Sequence, residues 1–363
     1  MTIDSIKMQN FRNYESVQLK FSPKINIIYG KNGSGKTNIV EALYVLGMTK
    51  SFRVKDDTNI IMKGKNCTKI EGKVVSKYKN TYQIVLNDSV KKAKINKKLC
   101  SKVSDYISNI NIILFQPEDQ MIFKSAPNIR RKLLDIEISQ LDNSYLVLLS
   151  NYNRILKQRN FYLREMMINS TLSIDYLNIL TNKLVEYGLL INNKREKFID
   201  MINDYISDIY KNIFEVGELK VNYVSSFNNK SHDELLKVYE SKLKYDINTG
   251  KTNFGIQHDD IDFILNGNNI RDWGSIGEQK NAIFSFKLSE IEIFRKLNNE
   301  TPILILDDVF SELDKSKVKN IINLLNSDIQ TFITTTEIER VNRRLREDSK
   351  IFRVKQGIIK EVK

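Results

Sequence analysis

The sequence predicts an α/β domain that is built from both ends of the chain and interrupted by an inserted helical hairpin. Near the N-terminus, a buried strand at 25–29 runs into a glycine-rich, phosphate-type turn. Near the C-terminus, the all-apolar run 303–306 is typical of a central parallel strand and ends in two aspartates. Between them, apolar residues recur at helical heptad spacing. We therefore predict a head from residues 1–122 and 255–363, and a helical arm from residues 123–254.

Composition excludes several classes of protein. The chain has 363 residues, of which 41% are hydrophobic, which is enough for one large domain or two modest ones. No apolar run approaches the roughly 20 residues that span a bilayer, and the N-terminus lacks an apolar signal core. Cys67 and Cys100 lie far apart without a partner motif, and His232 and His258 form no metal-ligand pattern. We expect a cytoplasmic protein with no membrane partner.

The positive charge is concentrated in one segment. The net charge is +13, and residues 50–102 hold fifteen Lys and Arg against four acidic residues. A localised basic stripe is the expected footprint of a polyanion such as DNA, which predicts a nucleoid-associated protein. A general bias of the sequence toward Lys, Asn and Ile is the alternative explanation. The candidate DNA-binding residues are Arg53, Lys55, Lys91, Lys92, Lys94, Lys97 and Lys98.

The glycine-rich loop matches the phosphate-binding pattern G-x-x-x-x-G-K-[ST] in full, between a predicted strand and a predicted helix at 38–46. Its glycines let backbone N–H groups and the helix N-terminus face an anion. Lys36 is predicted to reach the β- and γ-phosphates of ATP, and Thr37 to ligate Mg²⁺. The predicted ATP-contacting residues of this loop are Gly30, Lys31, Asn32, Gly33, Ser34, Gly35, Lys36, Thr37 and Asn38.

The middle of the chain predicts an antiparallel helical hairpin. After short strands between about 52 and 115, the heptad pattern starts at Asn128 and breaks at 168–171. It resumes at Leu177 and extends to Ile209. An ordinary helical subdomain is favoured over a coiled-coil rod, because three heptads per arm are few. The first arm's apolar positions are Leu134, Ile138, Leu141, Tyr145, Leu148, Tyr152 and Ile155.

Two aspartates end the apolar strand 303–306. Asp307 is predicted to hold the metal beside the phosphates, and Asp308 to orient the attacking water. A helix N-cap is the alternative role for such a pair, and the strand together with the upstream loop favours the metal. Further strands are predicted at 261–265 and 329–335.

A second set of motifs resembles the ABC ATPases. Residues 275–280 resemble the signature motif, whose Ser and Gly contact a γ-phosphate across a dimer interface. Residues 311–314 resemble the D-loop that pairs two such heads. The resemblance implies an ATP-sandwiched homodimer, with ATP contacts from Ser275, Gly277 and Gln279. Lys36 and Ser275 are 239 positions apart, a longer separation than in transporter ATPases, and this arrangement is similar to that of the SMC group.

Further patterns are spread over nearly the whole chain: Asn10–Tyr14, the phosphate-binding loop, Ser51-Phe52-Arg53, Phe115–Asp119, Arg130–Asp135 and Asp307–Asp314. Together they resemble the RecF family of bacterial recombination mediators. The resemblance implies an ATP-dependent dimer with slow ATP hydrolysis that binds double-stranded DNA and gap junctions. It further implies cooperation with RecR and RecO in placing RecA on gapped DNA. Arg12 would lie near the adenine, and Gln116 near Mg²⁺ and the catalytic water.

Some features depart from this pattern. Residues 255–260 read Gly-Ile-Gln-His-Asp-Asp where Gly-Pro-His-Arg-Asp-Asp is expected, and His258 is predicted to be a surface polar residue. Pro117 also makes Gln116 compatible with a plain turn. Thr335 or Thr336 replaces the switch histidine of other ABC proteins. The alternative functions are an SMC-like structural chromosome ATPase, a transporter-type ATPase and a binding module that never hydrolyses its nucleotide.

Overall fold

The computed structural model divides the chain into two compact units. The first comprises Met1–Gln120, Tyr205–Gly217 and Lys280–Lys363, and the second comprises Met121–Asp204 and Glu218–Gln279. The structure describes residues 1–169, 171–214, 217–298, 300–309, 328–341 and 343–363.

The strands are β1 (Thr2–Phe11), β2 (Tyr14–Lys20), β3 (Ile25–Tyr29), β4 (Cys67–Val75), β5 (Lys79–Asn87), β6 (Lys91–Ile95), β7 (Lys98–Leu99), β8 (Ile112–Phe115), β9 (Leu219–Val224), β10 (Asp260–Leu265), β11 (Asn268–Asn269), β12 (Ile303–Asp307), β13 (Thr331–Thr335), β14 (Ser349–Lys355) and β15 (Ile358–Glu361). The helices are α1 (Lys36–Met48), α2 (Pro127–Leu141), α3 (Asn143–Ile168), α4 (Ile174–Asn203), α5 (Ile206–Phe214), α6 (His232–Thr249), α7 (Ile270–Trp273), α8 (Ile276–Asn298) and α9 (Arg343–Glu347).

The first unit contains two six-stranded sheets. One is antiparallel, in the order β2-β1-β4-β5-β6-β7. The other has the order β15-β14-β3-β13-β12-β8 and is parallel except for the β14–β15 pair. Every residue of β8, β12 and β13 is buried, as expected for parallel strands covered on both faces. The predicted α/β fold class is therefore confirmed.

Helix α1 joins these sheets, because it contacts strands of both. Its approach to β4 is close. A Cβ at Gly72 would lie 2.2 Å from Leu46 Cδ2, so the glycine leaves room for the leucine. This packing fixes the helix that begins at the phosphate-binding loop.

The second unit contains the helical arm. Helices α3 and α4 pack together as the predicted hairpin, with buried faces that include Tyr152, Leu163 and Leu184. A three-stranded sheet in the order β11-β10-β9 belongs to the same unit. No helix among the described residues is long and apolar enough to cross a membrane.

The unit boundaries differ from the predicted ones. The continuous heptad pattern from Asn128 is interrupted at Asp142, whose side chain accepts a hydrogen bond from Ser144 N and so starts a new helix. Residues 205–217, assigned to the arm from sequence, belong to the first unit. Residues 255–279 belong to the second, because β10 pairs with β9.

Candidate nucleotide-binding site

The loops that carry the predicted site follow strands of one parallel sheet. The register pairs Leu306 with Phe115 and Asp307 with Thr334, and it pairs Thr335 with Tyr29. Since the carboxyl ends of parallel strands lie at the same edge, the phosphate-binding loop and the residues after β8 and β12 meet there. This edge is the usual location for a ligand in such sheets.

Close packing explains two glycines of the loop. A Cβ at Gly30 would lie 2.2 Å from the carbonyl oxygen of Val354, so β14 forms a wall against the loop. Gly35 has a φ of 112° as the N-cap of α1, and a Cβ there would lie 2.7 Å from the hydroxyl of Tyr14. The Tyr14 hydroxyl donates a hydrogen bond to Gly35 O at 3.0 Å. Glycine is required at both positions.

Lys36 is buried inside the loop. Its Nζ donates hydrogen bonds to the carbonyl oxygens of Gly30 at 2.8 Å and Lys31 at 3.2 Å. Burial lowers the pKa of Lys36, while the nearby carboxylates of Asp308 and Asp307 act in the opposite direction. The ammonium group is thus held within the phosphate-binding loop and close to both aspartates.

The two predicted metal ligands are in contact. Thr37 Oγ1 donates to Asp307 Oδ1 at 3.2 Å, and Thr334 Oγ1 donates to the same oxygen at 2.5 Å. Burial raises the pKa of Asp307, and Asp308 acts in the same direction, whereas the hydrogen bonds and Arg53 oppose it. Asp308 N donates to Thr334 Oγ1 at 2.9 Å. A buried carboxylate beside a threonine hydroxyl is a suitable pair of oxygen ligands for Mg²⁺.

The rest of the loop fits a triphosphate. The Ser34 hydroxyl is buried and has no hydrogen-bond partner among the described residues, so a phosphate oxygen would satisfy it. Lys31, Asn32 and Gly33 are exposed. Asn38 Nδ2 donates to Asn13 Oδ1 at 2.8 Å, which ties α1 to the β1–β2 turn.

A buried glutamate connects Arg12 and Arg53 to this helix. Glu41 is fully buried and accepts from Arg12 Nη2 at 2.5 Å and Nε at 2.9 Å, from Ser51 Oγ at 2.6 Å and from Arg53 Nη1 at 3.3 Å. Arg53 also donates to Asn38 at 2.8 Å. No role was predicted for Glu41 from the sequence, although it is a lone carboxylate in the otherwise apolar stretch 39–46.

Gln116 is positioned by a buried ion pair. Its N–H donates to Asp119 Oδ2 at 2.9 Å, and the same oxygen accepts from Lys287 Nζ of α8 at 2.5 Å. Gln116 lines a small cleft together with Val309, the residue after Asp308. The structure therefore brings Gln116 next to the end of β12, and Lys287 is a positioning residue that sequence reasoning missed.

The signature-like segment belongs to the second unit up to residue 279. Ser275 and Gly277 are exposed. Ser275 N donates to Glu278 Oε2 at 2.8 Å and the Ser275 hydroxyl accepts from Glu278 N at 3.3 Å, which forms a capping box at the start of α8. The Ser275 hydroxyl also donates to Glu278 Oε2 at 2.8 Å. The side chain of Gln279 is buried and donates to Gly274 O at 3.2 Å. The side chain in contact with the exposed Ser275 is therefore that of Glu278, not that of Gln279.

The candidate DNA-binding lysines lie mainly on the β6–β7 hairpin. Lys92, Lys97 and Lys98 are exposed, as is Lys55 before the hairpin, and Lys94 is half-buried. Lys91 is engaged within the chain, since its Nζ donates to Asp57 and to Thr49 O. Arg53 differs from these lysines, because its guanidinium group donates hydrogen bonds to Asn38 and Glu41 of α1.

The segment that departs from the family pattern lies in the second unit. Asp260 binds Arg130 through two hydrogen bonds of 2.6 and 2.9 Å, and Asp259 binds the buried Arg195 at 2.9 Å. His258 is exposed, as predicted. Arg195 also donates to Asp135 at 2.9 Å, so Arg195 joins Asp135 and Asp259 in one polar network.

Two further predicted features have different outcomes. The D-loop-like segment 311–314 lies outside the described residues. Thr335 is fully buried, and its hydroxyl donates to Glu337 O at 3.0 Å, whereas Thr336 is partly exposed.

Comparisons with known proteins agree with this architecture. The model of the RecF/RecN/SMC N-terminal domain family matches residues 2–360. The DNA replication and repair protein RecF of Ligilactobacillus salivarius is 36% identical over 99% of this chain and 98% of its own length. RecF of Listeria innocua is 36% identical over 99% of this chain and all of its own.

Solved structures of related proteins are also similar to this chain. The recombination mediator protein RecF with ATP, from the RecFOR pathway, matches with a TM-score of 0.92 at 29% identity, covering 100% of this chain and 98% of its own. An Smc head bound to the winged-helix domain of ScpA matches with a TM-score of 0.57 at 16% identity, covering 100% of this chain and 97% of its own, which indicates a shared fold.

Proposed function

The chain belongs to the RecF family, and we propose that it is a cytoplasmic, nucleoid-associated, ATP-gated DNA-binding protein of recombinational gap repair and replication restart. In this proposal an ATP-sandwiched dimer holds double-stranded DNA at junctions with single strands and works with RecR and RecO in loading RecA. The observation that supports it most is the meeting of Lys36, Thr37 and Asp307 at one sheet edge.

The chain's own groups account for ATP binding. Loop amides and the Lys36 ammonium bind the phosphates, and the Ser34 hydroxyl gains the acceptor that it lacks. Thr37 and Asp307 would hold Mg²⁺, which supplies neutralisation of phosphate charge when bound. The bonds from Arg12 to Glu41 and to Asn59 O fix that guanidinium at the β1–β2 turn, where the family resemblance puts the adenine.

We expect hydrolysis to be slow. Asp308 orients the attacking water, but its carboxylate is one methylene shorter than a glutamate. A base beyond the hydrogen-bond range of roughly 2.6–3.2 Å contributes poorly unless the site closes around it. Gln116 shares a cleft with Val309 and is suited to placing the water. Hydrolysis then serves as a timer for release from DNA.

The exposure of Ser275 and Gly277 supports the dimer. An exposed hydroxyl and an exposed backbone can contact the γ-phosphate of ATP bound to a second copy. Glu278 holds the Ser275 hydroxyl in the single chain, so this bond must be released or rearranged when a phosphate arrives.

Two substitutions test ATP gating of DNA binding. Lys36→Ala removes the ammonium group inside the loop, and we expect loss of ATP affinity and of ATP-dependent DNA binding. Lys24→Ala is the matched control, because Lys24 is exposed just before β3, at the other end of that strand. The measurements are binding of a fluorescent ATP analogue and of a gapped duplex. ATP-dependent DNA binding that persists in Lys36→Ala would refute the proposal.

A charge reversal tests the DNA surface. Changing three exposed hairpin lysines to Glu removes three possible phosphate contacts, so the slope of log K against log salt should fall by about three. The substituted residues are Lys92, Lys97 and Lys98.

The control carries the same charge change on exposed lysines of the second unit. An unchanged slope in the hairpin variant would place the DNA elsewhere. The control residues are Lys220, Lys242 and Lys244.

A structural chromosome ATPase of the SMC type is the second candidate, and the Smc head similarity favours it at the level of fold. The helices of the arm are shorter than the long coiled coils of SMC proteins, since α3 and α4 have 26 and 30 residues and span only about 40–45 Å. Bridging of two separate duplexes, with no preference for gapped DNA, would support this candidate.

A further inference from the structure

The signature-like segment exposes two large apolar side chains. Trp273 is 80% exposed and Ile276 is 58% exposed, and they flank Ser275 on either side. Trp273 is the single tryptophan of the chain. Isolated exposed apolar residues are common, but an aromatic and a branched aliphatic residue beside a functional serine form an apolar surface that water solvates poorly.

This surface is held in a fixed conformation. Asn269 caps α7 by accepting from Arg271 N, and Arg271 Nη2 donates to Asp262 at 2.7 Å. Gly274 N donates to Ile270 O at 2.9 Å, and a Cβ at Gly274 would lie 2.6 Å from that oxygen. The capping box at Ser275 then starts α8. The backbone at Trp273 is therefore braced, so little backbone entropy is lost when this residue binds.

Gly277 indicates that something outside the chain approaches this surface. Apart from its two chain neighbours and the backbone of its own helix, the only heavy atom of the described residues within 4 Å of a Cβ at Gly277 would be Ser275 Oγ, at 3.9 Å. The backbone there is not left-handed. Neither packing nor conformation within the chain requires a glycine, whereas close contact with a ligand or a second molecule would.

The position of Trp273 favours the phosphate-binding face of another copy as the partner. Trp273 is two residues from Ser275, and in the proposed dimer Ser275 contacts the γ-phosphate of ATP bound in the phosphate-binding loop of a second copy. An apolar side chain this close to Ser275 then lies against the surface around that loop. The charged residues at 271–280 do not select a partner, because Arg271 and Lys280 balance Asp272 and Glu278.

We infer that Trp273, with Ile276 beside it, packs against the phosphate-binding face of a second copy when ATP is bound. The inference rests on the proposed ATP-sandwiched dimer and extends it: Trp273 is an anchor of the interface, and its indole becomes buried only in the dimer. Buried tryptophans at the centre of interfaces carry much of the binding energy.

The native tryptophan is itself the probe. Excitation at a wavelength that selects indole reports Trp273 alone in the unmodified chain. With Mg²⁺ and ATP, the emission should shift to shorter wavelength and acrylamide quenching should fall. Both changes should follow the dimer fraction measured by sedimentation velocity as protein concentration is varied. ADP should leave emission and quenching as in the free chain.

Substitution gives an independent readout. Trp273→Ala should raise the dimer dissociation constant by at least about 30-fold, as for a typical interface hot spot. Trp273→Phe should recover part of that loss, and ATP binding to the monomer should be unchanged in both. Tyr78→Ala is the matched control, because Tyr78 is 77% exposed but lies on the β4–β5 turn.

The outcomes separate this inference from the proposed function. The inference is overturned if the dimer forms with ATP but emission and quenching do not change and Trp273→Ala does not weaken the dimer. The proposed function would still stand in that case. An emission shift that is independent of protein concentration also overturns it, since the indole would then move within one chain. Absence of any ATP-dependent dimer overturns both.

Discussion

Replacing Glu41 by glutamine tests whether the buried carboxylate organises the region around the phosphate-binding loop. Glu41 accepts four hydrogen bonds, three of them from the guanidinium groups of Arg12 and Arg53. Glutamine keeps the shape and one oxygen, but its NH₂ would face a donor. Removing one partner of a buried ion pair costs about 3–5 kcal/mol. Arg12 and Arg53 are 18% and 43% exposed and can be partly rehydrated, so we expect about 3 kcal/mol.

The assay is urea unfolding followed by circular dichroism, with a thermal melt as a second measurement. A loss of about 3 kcal/mol corresponds to a fall in Tm of roughly 6–12 °C. Glu15→Gln is the control, because Glu15 is 73% exposed and pairs with Lys65 at 3.2 Å, a surface pair worth about 0–1 kcal/mol. If the two variants unfold within about 0.5 kcal/mol of each other, the Glu41 cluster does not stabilise the fold and the reasoning from burial fails.

Three further substitutions probe the site. Asp308→Asn should bind ATP, lose turnover and stay longer on DNA. If the variant dissociates from an immobilised duplex as fast as the parent protein, hydrolysis does not time the release from DNA. Asp307→Asn should raise the Tm of the ATP-free protein at pH 7 by about 2–4 °C, since burial raises the pKa of Asp307 and disfavours its ionised form. That gain should disappear below about pH 3, where the carboxyl is protonated in both the folded and unfolded states, and an unchanged Tm at pH 7 would refute it. Lys287→Met should lower the free energy of unfolding by about 3–5 kcal/mol and slow turnover, because Lys287 and Asp119 position Gln116. Adding Asp119→Asn should recover part of the stability. Strictly additive effects of the two substitutions would exclude coupling between Lys287 and Asp119.

Local patterns were sufficient for the parts of the site that lie within one loop. The phosphate-binding loop and the two aspartates at the end of β12 were predicted because strand, turn and helix signals are adjacent in sequence. The predicted strand 25–29 was confirmed, and the predicted helix 38–46 extends to Lys36–Met48. The approach of Thr37 to Asp307 also followed, because parallel strands place their ends together.

Contacts between distant segments could not be predicted from pattern alone. The Glu41 cluster forms because Arg12 of the β1–β2 turn lies close to α1. The residue types at positions 10–14 do not indicate that the turn and the helix are neighbours. The contact of Glu278 with Ser275 and the burial of Gln279 depend on where α8 begins, which the capping box at Ser275 decides. The division into units depends on β10 pairing with β9, and a strand pattern carries no information about its partner.

The position of β3 between β14 and β13 has a consequence for synthesis on the ribosome. The antiparallel sheet can assemble once residue 99 has emerged, but both neighbours of β3 come roughly 300 residues later. At about 5–20 residues per second, β3 waits roughly 15–60 s with two unpaired edges. The nascent chain must be shielded from aggregation during that interval. A messenger truncated near its 3′ end would yield a protein that contains every residue of the phosphate-binding loop but lacks the Val354 wall against which the loop closes.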